Sequence, residues 1–287
     1  MITLFPITIL LSALLYVILG VVLALDILNF IPFFITVLIC ILVFVLQIGI
    51  VKLAGNMYFK TVDRADTDLE GFIMEQEKLA LRVKKPNIRN IVESNIIAAL
   101  IMYERCEEAQ ERMKILGPQI PPNDFLSRLQ YVDFLLSIDM CKGNFSGVDY
   151  YLNEMRANLS QIDFSRPGLS EKSRKNLYLT VELNTVHAEF YSRPPERLAN
   201  EDRQITMNLI SVVQEMEKNI YDLKLFRNHA YLSIWYDLGT AYAILGETEK
   251  AKQYFDQINS KQLNYPQIDR VKEYLNTGNI NVLMKYC

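Results

Sequence analysis

The stretch from Leu232 to Pro266 constrains the fold of this chain more than any other part of the sequence. Its small and apolar residues recur at the spacing of two short helices that are joined at Gly246. The first helix carries the pattern W-x2-L-G-x2-Y and the second carries an alanine and a phenylalanine, the residues being Trp235, Leu238, Gly239, Tyr242, Ala251 and Phe255. We expect these six residues to pack the two helices together. Such a pair cannot bury its apolar faces by itself, so further pairs must stack against it.

This spacing resembles the repeat of the tetratricopeptide-repeat (TPR) family. The resemblance is specific over residues 232–266, and degenerate copies lie within residues 95–160. In one of these copies Gly143 takes the position of Gly246. The resemblance implies an all-α fold in which residues 88–287 form a TPR-like α-solenoid.

Partner binding in such solenoids takes place on the concave face, which the first helix of each pair supplies. The resemblance assigns eight residues to that face: Gln130, Asp133, Phe134 and Ser137 from the degenerate copy, and Ser233, Tyr236, Asp237 and Thr240 from the clear repeat. Their rings and carboxylates suit a protein or peptide partner that offers apolar anchors and some positive charge. Because Trp235 is expected to pack inside the repeat, recognition is predicted to depend on Tyr236 and Asp237 instead.

The first fifth of the chain is nearly free of charge, with uncharged runs at residues 2–25 and 27–51. Each run exceeds the roughly 20 residues that a helix needs to cross a bilayer. We therefore expect a transmembrane hairpin over residues 1–52, a lipid bilayer around it, and a juxtamembrane neck helix over residues 53–87. Because basic residues follow the second run, both termini are expected in the cytoplasm, at a plasma membrane. The abundance of Ile, Asn, Lys and Tyr is typical of a bacterial protein.

Charge and motif content argue against several classes of function. The net charge of −3 mixes both signs, so the chain lacks the basic excess that nucleic-acid binding requires. Its four cysteines lie far apart and it has two histidines, so neither a metal site nor a disulfide is expected and the thiols are predicted to be free. Nucleophile elbows, Walker loops and G-x-G-x-x-G turns are absent from the sequence. We expect no enzymatic activity and no cofactor.

The sequence therefore predicts a membrane-anchored scaffold whose cytoplasmic TPR-like repeats bind a protein partner. Two alternatives stay open. One is an obligate structural subunit of a membrane protein complex that is assembled through the hairpin. The other is a small pore made of oligomerised hairpins, and the lack of repeated polar residues on one face of the runs argues against it.

Overall fold

The computed structural model describes residues 4–27, 33–83, 85–165, 169–219, 226–261 and 263–286. Within these ranges every regular element is a helix, which confirms the prediction of an all-α chain. The chain divides into two compact units, Met1–Val62 and Asp63–Cys287.

The first unit contains helices α1 (Leu4–Ile27) and α2 (Phe33–Asp63). The side-chain amide of Gln47 on α2 donates a hydrogen bond to the hydroxyl of Ser12 on α1, over 3.2 Å. Most of the large apolar side chains that the structure describes in these two helices are exposed. The turn predicted between the two runs falls mainly on residues 28–32, which lie outside the described residues.

The predicted transmembrane hairpin is corrected by the structure. Among the residues that the structure describes, no helix combines the length and the apolar character that crossing a membrane requires. This finding overturns the spans at 2–25 and 27–51, and with them the two-span placement in a plasma membrane.

The second unit is a series of helices that pack mainly as consecutive pairs. They are α3 (Leu69–Arg82), α4 (Pro86–Met102), α5 (Cys106–Leu116), α6 (Phe125–Cys141), α7 (Val148–Ser160), α8 (Glu171–Tyr191), α9 (Pro195–Ala199), α10 (Arg203–Asn219), α11 (Arg227–Ile244), α12 (Thr248–Asn259) and α13 (Pro266–Thr277). Closely packed pairs are α4 with α5, α6 with α7, α8 with α10, and α11 with α12. A 3-10 turn, Ile280–Leu283, follows α13.

Local sequence explains where several of these helices begin. The side chain of Asp124 accepts a hydrogen bond from the Ser127 amide at the start of α6, and Ser170 caps α8 in the same way. Pro86 and Pro266 stand at the first positions of α4 and α13, where the missing N–H costs nothing. These helix starts can be recognised from neighbouring residues alone, without knowledge of any tertiary contact.

The pair α11 and α12 has the packing that its residue spacing predicts. Gly246 ends α11 with a left-handed backbone (φ +75°), which glycine adopts without strain. An added Cβ on Gly239 would lie 2.4 Å from Phe255, so only glycine fits between the two helices there. Of the six residues with the repeat spacing, Leu238, Gly239, Tyr242, Ala251 and Phe255 are buried, whereas Trp235 is partly exposed and packs at the edge of the core.

The segment predicted as a neck, residues 53–87, contains the end of α2 and the whole of α3. Helix α3 packs on α4 and buries Leu69, Phe72 and Ile73. Asp68 caps it by accepting a hydrogen bond from the Gly71 amide. Helix α3 therefore contributes to the core of the second unit.

The start of the second unit contacts residues at the beginnings of α11 and α13. The carboxylate of Asp66, just before α3, accepts hydrogen bonds from the hydroxyl of Tyr265 (2.5 Å) and the amide of Asn228 (2.7 Å). The ring of Phe72 packs edge-on against Phe226, with the ring centres 6.1 Å apart. Asp66 is 3% exposed, so a polar contact inside the core joins residues that are far apart in sequence.

A second contact between distant parts of this unit lies at the end of α4. Glu104 forms ion pairs with Arg270 on α13 and with Lys285 near the C-terminus. Its backbone is left-handed (φ +58°), a conformation that costs an ordinary residue about 1–2 kcal/mol. The side chain of Glu104 makes both ion pairs from this left-handed position.

The cysteines depart in one respect from the prediction of free thiols. Cys40 and Cys106 are free, and burial raises the pKa of the Cys106 thiol to about 11. Cys141, by contrast, is disulfide-bonded. Sequence spacing predicted no disulfide, because pairing depends on distances that only the folded chain sets.

Candidate functional site

A cavity of about 270 Å3 lies among α6, α8, α11 and the chain end. Its polar lining consists of Asp133, Ser137, Thr180, Asn184, His187, Tyr191, His229, Ser233, Tyr236, Asp237, Gln267 and Tyr286. Helical spacing explains the grouping, because residues three or four apart share one face of a helix. Asp133 and Ser137 are so spaced on α6, Asn184 and His187 are so spaced on α8, and the same holds for Ser233 and Asp237 on α11.

Asp237 stands at the centre of a buried hydrogen-bond network. One carboxylate oxygen lies 2.8 Å from His187 Nε2, and the other accepts a hydrogen bond from the Tyr191 hydroxyl over 2.7 Å. Since a carboxylate only accepts, Nε2 of His187 carries the proton, which leaves Nδ1 as an acceptor in the neutral ring. That Nδ1 is buried and has no partner among the described residues. Burial and the nearby Asp237 charge raise the pKa of Tyr191 well above its ordinary value.

The carboxylate of Asp133 has few partners that offset the cost of burying its charge. It accepts one hydrogen bond, over 2.5 Å, from the side-chain amide of Asn184. Burial raises the pKa of Asp133 to about 6, because loss of hydration outweighs the opposing effects of Asn184 and His187. Within the described part of the chain, no lysine or arginine forms an ion pair with it. A cation brought to this site would therefore be attracted.

The chain's own C-terminal segment, residues 279–286, covers part of this face. The hydroxyl of Tyr236 donates a hydrogen bond to the carbonyl of Leu283 over 2.9 Å. The ring of Tyr286 packs against His187 and Tyr191, with ring centres 5.3 and 5.6 Å apart. Its hydroxyl lies 3.5 Å from the hydroxyl of Ser137. Burial raises the pKa of Tyr286, and this residue closes one side of the cavity.

The structure brings together five of the eight residues assigned to the groove. Asp133, Ser137, Ser233, Tyr236 and Asp237 all line the cavity, although they come from helices that are separated by almost a hundred residues. The five residues therefore lie around one cavity, and their role in binding stays a prediction.

The other three predicted residues lie elsewhere. Gln130 is exposed on α6 and does not line the cavity, while Phe134 is buried at 8% exposure. Thr240 is fully buried and its hydroxyl has no partner among the described residues. Sequence offsets assign a residue to a helix face, but neighbouring helices decide which part of that face stays open.

Sequence reasoning did not assign seven of the polar residues around the cavity to a binding site. They are Thr180, Asn184, His187, Tyr191, His229, Gln267 and Tyr286. The available signal was the spacing of Asn184 and His187, which places an amide and an imidazole on one face of a long helix. Nothing local indicated that α8 would lie between α6 and α11, or that the chain end would return to them.

The chemistry of the cavity favours binding of a polar group. No cluster of three or more His, Cys, Asp or Glu able to hold a metal ion occurs in the described ranges. Beside Nδ1 of His187 the structure describes no hydroxyl or thiol in hydrogen-bonding contact. Burial lowers the pKa of His229 to about 4, so this second imidazole is neutral at pH 7.

Comparisons with known proteins identify no relative of this chain. No protein-family model matches the chain, and no curated protein or solved structure is detectably similar to it.

Proposed function

We propose that this protein is an interaction scaffold whose second unit is a TPR-like α-solenoid that binds a segment of a partner protein. The binding face is formed by α6, α8 and α11, around the cavity. The partner segment offers a positively charged group and an apolar anchor.

One observation carries this proposal. Five residues that repeat offsets place on the concave face converge on a single cavity that holds Asp133, a carboxylate without a cationic partner among the described residues. Asp133 accepts a single side-chain hydrogen bond, from Asn184, and no lysine or arginine among the described residues pairs with it, so a cationic ligand would complement it. Stacked helix pairs provide the rigid support that such a face needs.

A second candidate function is an obligate subunit of a protein complex assembled through α1 and α2. Exposed apolar side chains on these helices favour it, among them Phe34 (72% exposed), Phe44 (66%) and Tyr16 (63%). Exposed apolar surface of this kind marks interaction sites. In this case the contact with the complex lies on the first unit.

Site-specific photocrosslinking in cells distinguishes the two functions. A photoreactive residue at Ser233, in the cavity lining, is compared with one at Lys252, which is exposed on α12. The scaffold proposal expects a defined crosslinked partner from position 233 that is absent from position 252. Placement at Phe44 tests the subunit alternative.

A matched pair of variants completes the test. Asp133→Asn removes the cavity charge and is expected to reduce crosslinking from position 233 at least tenfold. Asp139→Asn, on the same helix, alters a carboxylate that accepts a hydrogen bond from Tyr151 and does not line the cavity. Crosslinking that is insensitive to Asp133→Asn, or is found only from Phe44, contradicts the scaffold proposal.

A further inference from the structure

The cavity lining is acidic. It contains the carboxylates of Asp133 and Asp237, two imidazoles, and no lysine or arginine among the described residues. The lining therefore has two carboxyl groups and no cationic side chain among the described residues. The guanidinium of Arg270 lies over the Tyr236 ring at 5.4 Å and is already paired with Glu104. The electrostatic complement of this lining is a cation.

The same cavity offers hydrogen-bond acceptors that lack donors. Gln267, 2% exposed, has an unpartnered Oε1, and His187, 6% exposed, has an unpartnered Nδ1, as far as the described residues go. Both residues line the cavity together with Asp133. A primary ammonium group has three N–H donors and no acceptor, which suits an excess of acceptors.

The remaining wall of the cavity is apolar. Ile101 and Met102 from α4, Leu183 from α8 and Met216 from α10 contribute to the lining. An alkyl stem with a charged end packs on such a wall while its head reaches polar groups. A hydrated metal ion would not use this surface, and a quaternary ammonium has no N–H to donate.

We propose that this cavity is a binding site for a primary ammonium group on an alkyl chain, with Asp133 as its counter-charge. The inference names the group recognised at the proposed binding face, and it rests on the proposed function where that group is a lysine side chain of the partner. A free alkylamine has the same chemistry. Asp133 and the acceptors of His187 and Gln267 bind the ammonium, and the apolar wall holds the stem.

Titration of the full chain with small probes, followed by ligand-detected NMR, tests this site. The probes are n-butylammonium chloride and Nα-acetyl-lysine N-methylamide, with n-butanol and tetramethylammonium as controls at matched ionic strength. We expect saturable millimolar binding of n-butylammonium, the range appropriate to so small a ligand. The two controls should bind at least tenfold more weakly. Equal binding of n-butanol, or no saturation by n-butylammonium, overturns the proposal.

Two variants separate the charge of Asp133 from general effects. Asp133→Asn keeps the acceptor for Asn184 and is expected to weaken n-butylammonium binding at least tenfold, while Asp139→Asn leaves it unchanged. A thermal unfolding curve confirms that each variant is folded. If Asp133→Asn binds the probe as the unaltered protein does, Asp133 is not the counter-charge and the inference fails.

Comparison of the two amine probes also identifies the source of the ammonium group. Binding of the lysine amide supports a lysine of a partner segment, and binding of n-butylammonium without it supports a free amine. The crosslinking experiment succeeds or fails independently of these titrations. A partner captured at Ser233 without any probe binding therefore removes this inference and keeps the scaffold.

Discussion

Tyr236 donates a hydrogen bond from its hydroxyl to the main-chain carbonyl of Leu283, 2.9 Å away. Sequence spacing assigns Tyr236 to a surface for a partner, yet this bond joins α11 to the chain's own C-terminal segment. Leu283 is fully buried. The face assigned to recognition is therefore partly covered by residues 279–286, and the cavity beneath is what stays available.

Replacing Tyr236 by Phe removes this bond and leaves the Leu283 carbonyl without a donor. We expect a loss of about 1–2 kcal/mol in the free energy of unfolding, because an unsatisfied buried acceptor costs that much. Urea unfolding measures the loss, and hydrogen exchange should quicken over residues 279–286. Tyr150→Phe, at a ring that is 66% exposed, serves as control. Unchanged exchange in the C-terminal segment would show that the bond does not hold it.

Gly239→Ala places a Cβ 2.4 Å from the ring of Phe255. The α11–α12 pair must then separate or the ring must move, and we expect a loss of about 1–3 kcal/mol in unfolding free energy. Gly147→Ala is the matched control, since its Cβ meets Tyr151 at an ordinary contact distance of 3.4 Å. Equal stability of the two variants in chemical denaturation would contradict the close approach at Gly239.

Asp133→Asn should stabilise the protein at neutral pH. The pKa of Asp133 is raised from 3.8 to about 6 in the folded chain. The contribution of the protonated carboxyl to the stability of the folded state is therefore complete below pH 3.8 and is lost as the pH rises through 6. The variant escapes this loss, so we expect it to be more stable by about 1–3 kcal/mol at pH 7.5 and equally stable near pH 4.

The groups around Asp133 affect the measurement in different ways. His187, Asp237 and Tyr286 face the same cavity, and the depressed pKa of His229 makes both proteins less stable as the pH falls from 6.5 to 4. Because both proteins lose the same stability through His229, this loss cancels when the unfolding free energies of the variant and the parent are subtracted. Thermal unfolding of both proteins from pH 4 to 8 gives that difference, and a pH-independent value would rule out a raised pKa at Asp133.

The contact between Asp66 and Tyr265 is expected to show strong coupling. A double-mutant cycle with Asp66→Ala and Tyr265→Phe should give a coupling energy of about 1–3 kcal/mol, as for a buried hydrogen bond to a carboxylate. Asp149→Asn, at an exposed residue of α7, should change stability by less than about 0.5 kcal/mol. Additive effects of the two core substitutions would mean that this bond does not couple Asp66 to Tyr265.

Local features of the fold were readable from the sequence because they depend on neighbouring residues. Helix starts at Asp124 and Ser170, the left-handed turn at Gly246 and the fit of Gly239 against Phe255 all follow from spacing and backbone conformation. The candidate site was only partly readable. Offsets placed Asp133 and Asp237 on suitable faces, but they gave no reason to select Asn184 or His187.

The sequence by itself determined that this chain is helical and which residues pair α11 with α12, since helical periodicity and turn chemistry act over a few residues. Only the tertiary structure decided that Asp66 meets Tyr265, that Tyr286 returns to His187, and that Thr240 is buried. These contacts join residues far apart along the chain, and each depends on how all the intervening helices pack. The same packing removes water from Asp133 and makes it the strongest candidate for binding a cation.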